Sequence, residues 1–180
     1  LTPERGHVVV DGLTVGPATL REVRRRVGMV FQDPDDQLFL PRVRDDVAFG
    51  PRNLRWSAER VDSAVADALE RVGMTDAAER APHHLSFGQR RRVALATVLA
   101  MEPRVLVLDE PSSNLDPMAR RELADVVRDL GLTTLLVTHD LPYALELCER
   151  SVVVNRGRVV VDGPTRSILA DDALLAANRL

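Results

Sequence analysis

The 180-residue sequence contains no lysine; its positive charge rests on 24 arginines. A Gly-rich, phosphate-cradling turn ending in Lys-Ser or Lys-Thr is therefore not encoded in these residues. Cysteine occurs once, at Cys148, which excludes an internal disulfide and fits a reducing compartment. It has no Cys or His neighbour at metal-ligand spacing. No apolar run reaches the 18 or so residues of a membrane span. The longest, Val93 to Met101 and Val105 to Leu108, are interrupted by Glu102-Pro103-Arg104, and no signal-peptide pattern is present. A net charge of -3 gives bulk electrostatics no case for nucleic acid. The arginine clusters Arg24 to Arg26 and Arg90 to Arg92 read as solvated helix faces rather than anion-binding patches. What is present is ordinary for a globular protein, 45% hydrophobic and 28% charged residues, enough for one substantial core with a subdomain.

Along the chain, Leu1 to Gly6 read as a loop leading into a strand, which suggests the interior of a longer protein. Gly6 to Gly12 is a short strand closed by an Asp-Gly turn, and the pattern recurs at Gly157 to Gly163. Leu20 to Arg26 is expected to be a short helix, and Val27 to Phe31 a strand delivering Gln32 to a loop. Ser57 is a candidate N-cap for an amphipathic helix with Val61, Val65, Leu69 and Val72 on one face, closed by Gly73. Residues 37–81 hold no convincing buried strand and read as a helical insert. From Gly88 onward strands and helices alternate. Val105 to Leu108 is apolar throughout, as in a parallel strand covered on both faces. Asp116 and Pro117 start a helix, Thr133 to Val137 is a further strand, and more strands are expected near Ser151 to Val154 and Arg158 to Val161. This alternation implies an α/β sheet of mainly parallel order.

Chemistry is concentrated at a few positions. Ser86-Phe87-Gly88-Gln89 before an apolar run is a capping box, with Ser and Gln satisfying the first free N–H groups of a helix. The same geometry suits phosphate, because a helix N-terminus offers N–H donors and partial positive charge, and Gly88 permits close approach. Asp109-Glu110 ends an apolar strand. That can be a simple polar exit, but ligands of α/β sheets sit beyond the carboxyl ends of strands. There Asp109 can hold Mg²⁺ through water, and Glu110 can orient and deprotonate an attacking water. Ser112 to Pro117 follows as a capped loop. His139, at another strand exit, is either structural or within reach of a γ-phosphate, and Gln32 is a candidate for sensing metal and water. Each signal is modest alone; their order along the chain is what carries weight.

In that order the sequence resembles the nucleotide-binding subunits of ABC transporters. Gln32 matches the Q-loop, Leu85 to Gln89 the signature, Val105 to Glu110 the Walker B strand, Ser113 to Asp116 the D-loop and His139 the switch histidine. A narrower resemblance, to energy-coupling-factor ATPases of the cobalt and nickel importer type, rests on Gln32 to Phe39, Asp45 to Pro51, Phe87 and Val93 to Pro103. The family's adenine-stacking aromatic residue and Walker A loop would precede Leu1, and Asn114 stands where Gly or Ala is more usual.

The resemblance implies a P-loop NTPase fold, N-terminally truncated. Residues 1–35 and 93–180 would form the α/β core and residues 36–92 a helical and signature subdomain. It implies ATP and Mg²⁺ as cofactors, with Glu110, His139 and Gln32 as catalytic residues and Asp109 and Gln32 at the metal. Ser86, Phe87, Gly88, Gln89 and Asp116 would face nucleotide held by a second ATPase subunit. A transmembrane coupling protein and a substrate-binding membrane subunit would be the other partners, at the cytoplasmic face of the membrane, with no nucleic acid. The transported solute would be a metal ion or a vitamin. Two alternatives stay open: an ABC-type ATPase of DNA repair or translation, and a non-catalytic partner supplying only its signature face.

Overall fold

A computed structural model describes residue 3 and residues 5–180, so the reading of the first six residues as a loop lies partly outside the described residues. The chain opens with a two-residue-per-strand hairpin, β1 (Val9–Val10) and β2 (Leu13–Thr14). Its turn places Asp11 at φ 48° and Gly12 at φ 76°, the two left-handed positions that a tight hairpin requires. Helix α1 (Leu20–Arg26) leads straight into β3 (Val27–Val30). A short 3₁₀ turn at Pro34–Asp36 follows, capped by the Asp33 carboxylate on the Asp35 N–H.

The insert is helical, as expected: α2 (Val43–Asn53) and α3 (Ala58–Arg71). Ser57 caps α3 by accepting from the Arg60 N–H, and Val61, Val65 and Leu69 are buried. Gly73, at φ 64°, carries the chain away from the helix end. Next come α4 (Phe87–Leu99), β4 (Val105–Asp109), α5 (Pro117–Asp129) and β5 (Thr133–Val137). The chain ends with α6 (Leu141–Leu147), the antiparallel pair β6 (Arg150–Asn155) and β7 (Arg158–Pro164), then α7 (Thr165–Leu169) and α8 (Asp172–Asn178).

The central sheet is parallel, in the order β3-β4-β5, with Val30 opposite Leu108 and Asp109 opposite Val137. Val30, Leu106 and Leu108 share one buried cluster with Val93 to Val98 of α4 and Leu123 and Val127 of α5. That cluster continues through Val43, Val47, Val65 and Leu69 of the helical insert, so one core runs beneath both. Helix α4 itself passes without a break from Phe87 to Leu99. It therefore spans the boundary at residues 92 and 93 that the sequence suggests between subdomain and core.

Three expectations need correction. The repeat of the Asp-Gly turn fails: Asp162 and Gly163 lie inside β7, and the turn of the second hairpin is at Arg156-Gly157, both at positive φ. Asp162 instead pairs across the hairpin with Arg150 at 2.6 Å. Coverage of the sheet on both faces is incomplete among the described residues: on the face opposite Leu106 and Leu108, Val105 and Val107 of β4 are half-buried, and Met29 of β3 and Leu135 and Val137 of β5 are exposed. The run Arg90 to Arg92 is no solvated face. Arg91 is 1% exposed, Arg90 donates to the Leu85 carbonyl and pairs with Asp35, and Arg92 pairs with Glu122. An arginine stem can line an apolar core while its planar head finds acceptors, which a helical charge count does not reveal.

Candidate functional site

Parallel strands put their carboxyl ends at one edge of the sheet. Gln32 lies two residues beyond β3, Asp109 is the last residue of β4, Glu110 follows it, and His139 lies two residues beyond β5. The register that sets Asp109 opposite Val137 brings the β4 and β5 exits side by side. Glu110 takes a left-handed conformation, φ 43°, and its N–H donates to the Val137 carbonyl. That turn of the backbone aims its side chain at the chain leaving β5.

The Glu110 carboxylate is held at both oxygens. Oε1 accepts from the His139 N–H at 3.0 Å and lies 2.8 Å from His139 Nδ1, and Oε2 accepts from the Thr138 hydroxyl at 3.1 Å. His139 is 79% exposed at its side chain, so Nε2 is left for a ligand arriving from solvent. The hydrogen bond and charge of Glu110 push the His139 pKa up. The pair therefore stabilises the fold at pH below the ordinary histidine value of 6.5 and loses that contribution as pH rises through the elevated folded value. In Glu110→Gln the His139 pKa is expected to fall back toward 6.5, readable by NMR titration of the imidazole carbon-bound protons. An unchanged value would show that the pairing is not what perturbs it.

Beyond Glu110, Ser112 donates to Asp140, which also accepts from Arg120 of α5 at 3.1 and 3.2 Å. These charge-assisted bonds tie the loop after β4 to the loop after β5. Asp140 sits below the usual carboxylate range; burial raises it, and the Tyr143 N–H, Arg120 and Ser112 together outweigh that.

At the start of α4 the capping box forms with both halves present: Ser86 Oγ accepts from the Gln89 N–H at 3.2 Å, and Gln89 Oε1 accepts from the Ser86 N–H at 3.0 Å. The N–H groups of Phe87 and Gly88 belong to the first turn and have no intrahelical acceptor. Gly88 is close-packed: a Cβ there would meet the Ala119 Cβ at 2.8 Å. Asp116 caps α5, its Oδ1 accepting from the N–H groups of Met118 and Ala119 at 2.9 Å. Its carboxylate thus already has a structural task. The structure brings Glu110 and His139 into direct contact and sets Gln32 and Asp109 at the same sheet edge. Among the described residues it records no hydrogen bond between Gln32 and Asp109.

Two residues to which the sequence reading gives no role at the site organise this edge. Gln37 accepts from the Phe31 N–H through Oε1 and donates through Nε2 to Ala94 O and Thr97 Oγ1 of α4, each at 2.7 Å. Arg91 donates to the carbonyls of Phe31, Gln32 and Ser113. A glutamine in a turn and one arginine in a run of three carry no distinctive sequence signal.

For a divalent cation the donor set is hard oxygen, as magnesium requires, but sparse: among the described residues no three His, Cys, Asp or Glu side chains converge on one point. One carboxylate, Asp109, with the Gln32 amide fits a magnesium ion that keeps most of its water and takes its remaining ligands from phosphate oxygens. It does not fit a cation held by protein alone. The residues thus fit the metal and water end of a triphosphate, whereas no lysine is present to hold its phosphates.

A parallel α/β sheet with paired acids at a strand tip, a histidine on the glutamate, and a capped glycine-containing helix start has the arrangement of a nucleotide-binding class of protein. The comparisons give the particular family. The ABC transporter family model matches residues 1–113. An ABC transporter ATP-binding protein of Streptomyces coelicolor is 60% identical over 180 residues, covering all of this chain and 69% of the relative. The energy-coupling factor transporter ATP-binding protein EcfA of Carboxydothermus hydrogenoformans is 48% identical over 182 residues, covering 99% of this chain and 67% of that one. Among solved structures, CbiO1 from Clostridium perfringens, part of the ABC transporter complex CbiONQ, aligns with a TM-score of 0.87 at 36% identity, covering 98% of this chain and 73% of that chain. The chain belongs to the ABC transporter ATP-binding family.

Proposed function

We propose that this chain is the greater part of an ATPase subunit of an energy-coupling-factor importer. In this reading ATP hydrolysis drives uptake of a small solute, a metal ion such as cobalt or nickel, or a vitamin. The observation that carries the hydrolytic part is the Glu110–His139 contact, 2.8 Å between Oε1 and Nδ1 at the edge where Gln32 and Asp109 also stand. The importer type is supported by the likeness to EcfA and CbiO1.

The residues have distinct tasks in this reading. Glu110, fixed by Thr138 and His139, orients the attacking water and accepts its proton. His139 presents Nε2 to the terminal phosphate. Asp109 and Gln32 would hold a magnesium ion, which when bound would offset charge on the phosphate oxygens. Ser86, Phe87, Gly88, Gln89 and Asp116 face nucleotide bound to a second ATPase subunit, the Phe87 and Gly88 N–H groups supplying donors. Residues 1–35 and 93–180 act as the catalytic core and residues 36–92 as the helical and signature subdomain.

The segment after Gln32 lies beside the groove for a transmembrane coupling protein, which a substrate-binding membrane subunit joins at the cytoplasmic face of the membrane. Phe39 and Phe49, both exposed and stacked edge to face at 5.2 Å, offer an apolar contact there. No helix among the described residues is long and apolar enough to cross a membrane itself, which suits a peripheral subunit.

The 180 residues alone are expected to bind Mg-ATP no better than millimolar. The phosphate cradle of a P-loop supplies several charge-assisted hydrogen bonds, each worth about 1.5–3 kcal/mol, and no residue here replaces them. Calorimetric titration of the chain with Mg-ATP checks this, and micromolar binding would contradict it. Co-purification tests the wider reading: membrane coupling proteins support transport, whereas ribosomes or nucleic acid would support a non-transport ATPase.

A further inference from the structure

The side chain of Arg91 has no role in the chemistry described above, yet it is fully buried and reaches two separate loops of the site. Nη1 donates to the carbonyl of Phe31 at 3.0 Å and to that of Gln32, and Nη2 donates to the carbonyl of Ser113 at 3.2 Å. Phe31 and Gln32 form the exit of β3. Ser113 lies in the loop joining Glu110 to the Asp116 cap. Arg91 itself sits two residues after Gln89, so its backbone moves with the capped start of α4. Its acceptors are carbonyls, and among the described residues Nε has no partner.

A guanidinium with no carboxylate against it is a costly way to fill a core. Burial pulls its pKa below the ordinary arginine value, offset in part by the charges of Asp33 and Asp109. Stability alone is better served by an apolar side chain of similar volume. What only the planar fork supplies is a fixed geometry between three backbones, because its donors point in set directions. If α4 rotated without the two loops, all three bonds would break together.

We propose that Arg91 is a positioning residue for hydrolysis, locking the nucleotide-facing start of α4 to Gln32 and to the loop that carries Glu110, so that the three move as one body. This rests on the reading of the site as an ATPase. Gln37 ties the same β3 exit to α4 independently, so the fold does not depend on Arg91 alone. Lysine keeps the charge and the stem but offers a single ammonium that cannot span both loops at once.

The test is steady-state ATP hydrolysis by the intact gene product with Arg91→Lys and Arg91→Met, each followed also by thermal unfolding. We expect kcat to fall about threefold to tenfold in R91K and more than about tenfold in R91M, with KM for ATP within about twofold of wild type, since an interaction felt mainly in the transition state lowers kcat. R91K at wild-type kcat overturns the proposal, as does a fall in both variants that tracks only the loss of folded protein. Should R91M not fold, R91K decides. Absence of ATPase activity in the wild-type protein would instead overturn the reading of the site.

Discussion

Replacing Glu110 by glutamine is expected to lower kcat for ATP hydrolysis by the intact gene product about 10²- to 10³-fold while leaving the fold and nucleotide affinity in place. A positioned general base contributes about 10² to 10⁴ in rate, and glutamine has almost the same shape without a proton-accepting charge. The hydrogen bonds around the side chain predict the benign structural outcome. The His139 N–H can still donate to the amide oxygen, and the Thr138 hydroxyl, now a donor to Oε2, can rotate to accept from the amide nitrogen. Thermal unfolding should therefore change little at pH above the elevated His139 value, and lose the contribution of the ion pair below it. In the proposed mechanism His139→Ala removes only one contact with the phosphate, besides one partner of Glu110, so its loss should be smaller. Combining the two should cost less than the product of the single losses, because they act as a unit. Activity of Glu110→Gln above about a tenth of wild type would remove Glu110 from the role of base.

The Glu110–His139 pair also shows what a sequence can and cannot disclose. Hydrophobic patterning placed β4 and β5 because both are short apolar runs, and chain order put both residues at strand exits. Capping chemistry at Ser57, Ser86 and Asp116 was legible for the same reason: it is local, spanning two or three residues, and the structure forms each of these bonds. The Asp-Gly repeat misled, since Asp162 and Gly163 are taken up in the β6–β7 ladder opposite Val152 and Ser151, a pairing that outweighs a local turn preference. The positive φ at Glu110, which turns its side chain onto His139, has no marker in the residue type. Arg91 was least legible of all. Its neighbours Arg90 and Arg92 share its chemistry, and only the packing of α4 against two loops decides which arginine is sealed inside. The helices between β3 and β4 were legible from their apolar spacing, whereas a boundary at residues 92 and 93 was not, because α4 runs unbroken across it.

The packing of α4 against β3 is where the fold should be most sensitive. Gly28, in the middle of β3, lies against α4: a Cβ built there comes 2.1 Å from Val98 Cγ1 and 3.2 Å from Pro103. Its φ lies outside the left-handed region, so alanine is permitted by the backbone and, from chain entropy alone, would stabilise by about 0.4–1 kcal/mol. Packing reverses the sign. Val98 cannot easily swing away, because a valine in a helix is nearly confined to one χ1 rotamer, and Pro103 closes the other side. Overpacking of this kind costs typically 1–3 kcal/mol, and Gly28→Ala is expected at about 3 kcal/mol or beyond. At this chain length that corresponds to a fall in Tm of roughly 6–12 °C. Val98→Ala alone should be destabilising through the space it leaves. In Gly28→Ala/Val98→Ala, however, the new methyl occupies that space, and a double-mutant cycle should return a favourable coupling of more than about 1 kcal/mol. Additive losses would mean that β3 and α4 do not meet at this point. Because α4 carries the capped start, Gln37's acceptors and Arg91, such a result would also detach the candidate site from the strand that presents Gln32.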